Sequence, residues 1–348
     1  MNLFLCHTLF LSLSICLAFS SIAQDLTSIN QLLEEKKEDF KGHVIMVVKQ
    51  KDSTLYKHQI GIANLDTKIP IASASKWLTA AVILTLVDQG RLSLDDSIGK
   101  YLPSFSKYGK GHPTIRQCLT HTSGFPAYAP LNYNDIGLAA LVDSMAKYIP
   151  LKNVPGAAFN YGGMSFRIAG RIAEVVSGKS WNELFLANIA SACEMNVTVY
   201  CHEKVTPDLG GGVCSTPSDY LNFLSMIAGN GVYKGKQVLS SASVKEFFKS
   251  QLPTHVRDAM TKYNPEMRPF ANGKLISYGL GTWIYDYNES KEYQSEIFCP
   301  GALGTFPFID SCRNIYGIIL THTQIAKVIE TEFKAIAAIK EKYKADCK

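Results

Sequence analysis

"KIPIASASKWLTAAVILTLVDQG", residues 68–90, sets two serines and a lysine at the mouth of a long apolar run. From Trp77 to Val87 the run is apolar on nearly every helical face, which predicts a helix over 74–89 buried on all sides. Gly90 supplies its stop. Ser73 and Lys76 stand at i and i+3, so their side chains share one face and the amine can reach the hydroxyl. An amine held among apolar groups loses hydration, its pKa falls, and it can act as a base toward that hydroxyl. The helix N-terminus adds unpaired N–H groups and a positive dipole end, which favour an oxyanion. A structural reading stays open on the helix alone, with Ser73 or Ser75 as N-cap and Lys76 as a solvated first-turn residue.

The bare Ser-x-x-Lys pattern is not rare in the chain, and recurs for example at Ser97/Lys100 and Ser104/Lys107. The first of these carries Gly99 inside it and runs into Tyr101-Leu102-Pro103; the second sits in a Lys/Gly loop before Pro113. Neither context holds a rigid pair on a helix.

The remaining chemistry of the chain is that of an ordinary globular protein, with 47% hydrophobic and 19% charged residues. The net charge of +5 comes from 35 basic against 30 acidic residues with no block of like charge, which argues against a nucleic-acid partner. Residues 1–23 contain no Lys, Arg, Asp or Glu and end in Ser21-Ile22-Ala23, the pattern of a secretory signal cleaved before Gln24. A retained membrane anchor is the rival reading, because no positive n-region precedes the apolar stretch. No later stretch has the ~18 apolar residues of a membrane span. Export permits disulfides among the seven remaining cysteines, and Cys193 with Cys201 or Cys299 with Cys312 are plausible pairs; the odd number leaves at least one thiol free. Without CxxC or HExxH spacing, neither a metal nor another cofactor is expected.

Along the chain, residues 25–42 predict an amphipathic helix with a glycine stop, and "HVIMVVKQ" and "TLYKHQIGIAN" predict a strand pair turning at Lys51-Asp52-Ser53. A second strand cluster follows far downstream at 278–287, 292–299, 304–310 and 314–322, then a closing helix. Between the clusters the pattern is helical, at 74–89, 114–120, 134–148, 163–176, 180–190 and 217–229. The fold class is therefore α/β of the α+β kind: an antiparallel sheet flanked by N- and C-terminal helices, with a large, mostly helical insertion. The expected division is a sheet domain of residues 24–65 plus 273–348 and a helical domain of residues 66–272.

Four blocks bring in a resemblance: "IASASKWLTAAVILTLVDQGRLSLDDSIGKYLPSF" with "TIRQCLTHTSGFP", "FNYGGMSFRIAGRIAEVVSGKSWNELF", "GGGVCSTPSDYLNFL" and "CPGALGTFPFID". Together they resemble the serine hydrolases related to class C β-lactamases, penicillin-binding D-alanyl peptidases and their esterase relatives, over most of residues 43–322. The resemblance implies a β-lactamase/transpeptidase-like fold, with Ser73 as acylated nucleophile and Lys76 as its base. It implies that Tyr161 relays the proton; a free tyrosine has a pKa near ~10, so it needs a cation such as Lys76 beside it to act as a base. The backbone N–H groups of Ser73 and Ala302 would form the oxyanion hole.

Two departures bear on substrate. Gly163 stands where many relatives have the asparagine of Tyr-x-Asn, which removes an amide that could hold a substrate carbonyl. Cys299-Pro300-Gly301 stands where β-lactamases have Lys-Thr-Gly and many esterases His-x-Gly, which removes the cation expected to meet a substrate carboxylate. Neutral esters or amides fit such a site better than penicillins or D-alanyl peptides.

No Gly-x-Ser-x-Gly elbow is present for a Ser-His-Asp enzyme. His121 reads as a turn residue packing its loop, and Ser215 as the cap of the helix after Pro217. Asn196-Val197-Thr198 and Asn288-Glu289-Ser290 are glycosylation patterns, meaningful only in a eukaryotic secretory route. The leading expectation is an exported serine hydrolase acting through an acyl-enzyme on Ser73, on a small-molecule or peptide-like ester or amide. The alternatives are a β-lactamase or D-alanyl-D-alanine carboxypeptidase, and a catalytically weak binding protein of the same fold.

Overall fold

The computed structural model describes residues 26–128, 136–201, 205–263 and 273–347. The signal segment 1–23 lies outside the described residues. In chain order, helix α1 (Thr27–Glu35) leads to strands β1 (Val44–Gln50), β2 (Ser53–Ile60) and β3 (Ile69–Pro70). Helices α2 (Ser75–Asp88), α3 (Ile98–Tyr101), α4 (Pro103–Lys107), α5 (Ile115–Leu119), α6 (Leu138–Tyr148), α7 (Met164–Ser177) and α8 (Trp181–Phe185) follow. Short strands β4 (Val199–Tyr200) and β5 (Val213–Ser215), helix α9 (Pro217–Ala228), hairpin β6 (Val232–Tyr233) and β7 (Lys236–Gln237), and helices α10 (Ser241–Phe248) and α11 (Thr254–Tyr263) complete the middle of the chain. Strands β8 (Ser277–Tyr278), β9 (Trp283–Ile284), β10 (Glu296–Phe298), β11 (Phe306–Asp310) and β12 (Ile315–Thr321) precede the closing helix α12 (Ile325–Lys342).

The large sheet has the order β2-β1-β12-β11-β10-β9-β8 and its pairings are antiparallel. The early strand β1 and the last strand β12 pair side by side next to the β2 edge, where Val44 faces Thr321 and Lys49 faces Tyr316. β1 reads as an unbroken apolar run because both its faces are covered. Ile45 and Val47 point into one core with α2, whereas Val44, Met46 and Val48 point into a second core with α1 and α12. The expected antiparallel sheet flanked by terminal helices is thus the observed one.

Helix α2 is the axis of the first core. Every residue from Ser75 to Leu86 is buried, and Trp77 packs edge-on against Phe223 and Phe247 at 5.8 and 6.1 Å. Each fully buried leucine, isoleucine or valine there contributes roughly 1.5–3 kcal/mol. A small second sheet, β3-β5-β4, runs alongside, and the Ile71 N–H donates to Val213 O at 2.9 Å. That contact fixes the chain just before Ser73.

Several expectations are corrected. Ser104 and Lys107, expected in a loop, both lie on the short helix α4, where Ser104 Oγ donates to Asp143 Oδ1. The first helix ends at Glu35 and turns carry the chain to Gly42, whose φ of +72° only glycine adopts at no cost. Residues 278–287 form not one strand but parts of the hairpin β8–β9, because Gly279 and Gly281 bend the backbone between them. Within 292–299 only Glu296–Phe298 is strand. The disulfides are Cys201–Cys214 and Cys312–Cys347, not Cys193–Cys201 or Cys299–Cys312; Cys118, Cys193 and Cys299 are free and buried. Cys201 and Cys214 are brought together by β4–β5 pairing, and Cys347 returns to Cys312 after α12. Thr216, not Ser215, caps α9 by accepting from the Asp219 N–H; the Ser215 hydroxyl bonds Thr198 instead.

Candidate active site

Ser73 is not an N-cap. Ala72 holds a left-handed φ of +46°, and residues Ala72–Ala74 form a 3-10 turn that feeds directly into α2. The helix start carries no side-chain cap, and the Ser75 hydroxyl donates to Ala72 O at 2.6 Å while accepting from the Val213 N–H at 3.1 Å. Ser73 is left part-exposed, and Lys76 donates to its Oγ at 3.1 Å. Nor is Lys76 solvated: it is 3% exposed, and its Nζ also donates to Gly210 O at 2.6 Å. Burial lowers its pKa to about 8, against the weaker opposing pull of Cys299 and Asp208.

The Tyr161 hydroxyl, at the mouth of α7, lies beside the same Ser73 hydroxyl. The Lys76 ammonium lies over the face of its ring, 4.7 Å from the centroid. Burial raises the Tyr161 pKa well above the ordinary phenol value. With the cation over the ring face, burial is the dominant influence on the phenol, which keeps its proton at neutral pH. An aromatic box holds the ring in place, with His121 at 4.5 Å and Trp283 at 5.2 Å between centroids. His121 packs as its turn position suggested. Its Nδ1 accepts from the Gly162 N–H (3.3 Å) and its Nε2 meets the Tyr278 hydroxyl (3.2 Å), while burial drives its pKa well below the usual imidazole range.

The Cys299-Pro300-Gly301 segment closes the site from the sheet. Cys299 is fully buried, and its thiol lies 3.2 Å from both Ser73 O and Gly281 O, which share its one proton. Burial pushes the thiol up to about 12, so it stays protonated. A Cβ on Gly301 would stand 2.1 Å from Ile71 O, which makes glycine obligatory where the strand end meets the nucleophile turn. Ala302 follows, exposed, its carbonyl accepting from the Ile325 N–H at 3.0 Å. Of the residues singled out from the sequence, Ser73, Lys76, Tyr161, Gly163, Cys299 and Gly301 converge in one place.

The space beside Gly163 is filled from elsewhere. A Cβ there would lie 3.2 Å from the Arg167 guanidinium and 3.4 Å from Asp208 Oδ1. Those two groups pair at 3.0 Å, and Asp208 Oδ1 also accepts from the Gly210 N–H at 3.1 Å. Sequence reasoning missed this pair; the available signal was the cation one helical turn after the glycine.

The β-lactamase family model matches residues 29–339. This chain belongs to the β-lactamase family. Family members with this fold are serine hydrolases, and the ordered blocks and the fold expected of them are both present. A candidate β-lactamase from Bacteroides dorei DSM 17855 is similar over 90% of this chain and 98% of its own, at 30% identity and a TM-score of 0.81. The D-alanyl-D-alanine-carboxypeptidase/endopeptidase AmpH of Escherichia coli K12 is 26% identical over 248 residues, which cover 64% of this chain and 61% of AmpH. EstCE1, a hydrolase with promiscuous acyltransferase activity, shares the fold at a TM-score of 0.73 and 16% identity, over 93% of this chain and 99% of its own. Among the described residues no helix is long and apolar enough to cross a membrane.

Proposed function

We propose that this β-lactamase-family chain is an exported serine hydrolase that acylates Ser73 and releases the acyl group to water, with esters or amides lacking a carboxylate beside the scissile bond as substrates. The observation that carries the reading is the Ser73 hydroxyl 3.1 Å from a buried amine whose pKa lies at about 8. As the neutral base, Lys76 keeps an N–H for Gly210 O and turns its lone pair to Ser73. The serine oxygen attacks the carbonyl carbon while its proton passes to Nζ. The Ser73 and Ala302 N–H groups receive the oxyanion. Collapse of the tetrahedral adduct expels the alkoxide or amine, which takes a proton through the Tyr161 hydroxyl, restored in turn from Lys76. Water then repeats the sequence on the acyl-enzyme.

The substrate preference rests on Cys299. Its neutral thiol is turned into the backbone behind Ser73 and offers no charge to a carboxylate. Carboxypeptidase action is the second reading, favoured by the similarity to AmpH. Export is supported by the apolar residues 1–23 and by two disulfides, which suit an oxidising compartment.

Treating the purified protein with a fluorophosphonate and with a penicillin, then mapping adducts by mass spectrometry, tests both readings. Fluorophosphonate on Ser73 with nitrophenyl-ester turnover and no penicillin adduct is the expected result. A penicillin adduct on Ser73 moves the assignment to the carboxypeptidase reading. No adduct with either reagent and no ester turnover would leave a binding protein.

A further inference from the structure

With no cation at position 299 and no amide at position 163, a charged group that stands part-exposed beside the nucleophile among the described residues is an anion, Asp208. The Asp208 side chain is 41% exposed, while its partner Arg167 is 6% exposed and sits behind it. The pair thus turns its negative end outward. A Cβ on Gly210 would lie 3.6 Å from both Asp208 Oδ1 and the Lys76 Nζ. A Cβ on Gly211 would lie 3.4 Å from Oδ2 and 3.8 Å from the carbonyl carbon of Ala72, the residue before Ser73. Gly163, Gly210 and Gly211 therefore surround the carboxylate without placing a side chain between it and the Ser73–Lys76 pair. The carboxylate is held, because Arg167 and the Gly210 N–H both bond Oδ1.

We propose that Asp208 sets substrate specificity, favouring acyl groups that carry an ammonium a few bonds from the scissile carbonyl and disfavouring those that carry a carboxylate there. The proposal rests on the hydrolase reading above and adds a substrate class to it. A fixed anion acts on a nearby charge with opposite sign for the two substrates, so one residue both attracts and rejects. At a part-exposed site each effect is worth about fivefold in kcat/KM, and salt weakens both. Lys76 does not cancel the preference, because it must be neutral when the serine attacks.

The test uses three nitrophenyl esters of matched size: 4-(trimethylammonio)butyrate, its uncharged isostere 5,5-dimethylhexanoate, and glutarate with a free carboxylate. The wild-type order is cation over neutral over anion, by about fivefold at each step at low salt. In Asp208→Asn both ratios shrink toward one, and in Asp208→Glu the order survives. A purely structural role for Asp208 would lower all three rates together and leave the ratios intact. Should Asp208→Asn not fold, the wild-type ratios still decide, since they must approach one as salt rises. Turnover of all three esters at equal rates overturns the specificity proposal and leaves the hydrolase reading standing. Failure to turn over any ester, with no fluorophosphonate on Ser73, removes the hydrolase reading and this proposal with it.

Discussion

Two buried ionisable side chains sit on opposite faces of the large sheet, and their surroundings differ. Lys76, on the α2 side, bonds Ser73 and Gly210 and lies over the Tyr161 ring. Glu332, on α12, is fully buried in the second core, and neither of its carboxylate oxygens has a hydrogen-bond partner among the described residues. Burial perturbs both, lowering the lysine to about 8 and raising the glutamic acid well above its ordinary value. Desolvation alone therefore does not mark a reactive site. What separates Lys76 is the Ser73 hydroxyl 3.1 Å away, with the Tyr161 hydroxyl beside it. Glu332 is flanked along its helix face by the apolar Val328, Ala335 and Ile336.

That contrast can be broken most directly at Lys76. Lys76→Met is expected to lower kcat/KM for a nitrophenyl ester by about 10³-fold or more, since it removes the base. It should leave the melting temperature level or higher, because a buried amine is replaced by a thioether of similar length. A loss of under tenfold would mean that Ser73 is activated by something else. Glu332→Leu should do the reverse, leaving activity alone and raising stability by about 1–4 kcal/mol in urea unfolding. The sign follows from linkage. With its folded pKa above the unfolded 4.5, the native state binds more protons than the unfolded state above that pH, so the wild type loses stability as pH rises from there. The advantage of Glu332→Leu should therefore be larger at pH 7 than at pH 5; an equal advantage at both would mean the carboxyl is not desolvated as described.

The pH profile of the wild type sharpens the same contrast with a smaller effect. Because Lys76 must be neutral to accept the serine proton, kcat/KM should climb about tenfold between pH 7 and pH 9, with its midpoint at about 8. A flat profile over that range would exclude Lys76 as the titrating base. Smallest is Cys299→Ala, which deletes a donor to the Ser73 and Gly281 carbonyls. A loss of about 1 kcal/mol in stability and a few-fold in kcat is expected, and an unchanged enzyme would show that the thiol only fills space.

Much of this was legible in the sequence where one physical signal dominated. The apolar run on all sides of 77–87 could only be a buried helix, and the pleat of β1 followed from its β-branched pattern. Position 73 was harder, since an N-cap serine and a nucleophile look alike until the backbone at Ala72 is known. The pairing of Cys312 with Cys347 depends on where α12 returns the chain, which spacing does not encode. Arg167 was overlooked because a cation within an amphipathic helix reads as surface. Its burial follows from the missing side chain at Gly163 and from Asp208, which lies forty-one positions along the chain. Helices α3, α4, α10 and α11 are short or interrupted, and their periodicity is too brief to stand out.

The left-handed Ala72 has a consequence for the timing of the energetic cost. A glycine would adopt φ +46° freely, whereas alanine resists it by roughly 1 kcal/mol, and the surrounding hydrogen bonds overcome that resistance once, during folding. A glycine hinge would let the turn sample other shapes in the native state, and each substrate encounter would have to wait for the correct one. With alanine the competing shapes are closed off beforehand. On the proposed hydrolase reading, the hydroxyl of Ser73 is thus aimed before any substrate arrives, and the waiting time for alignment is removed from every turnover.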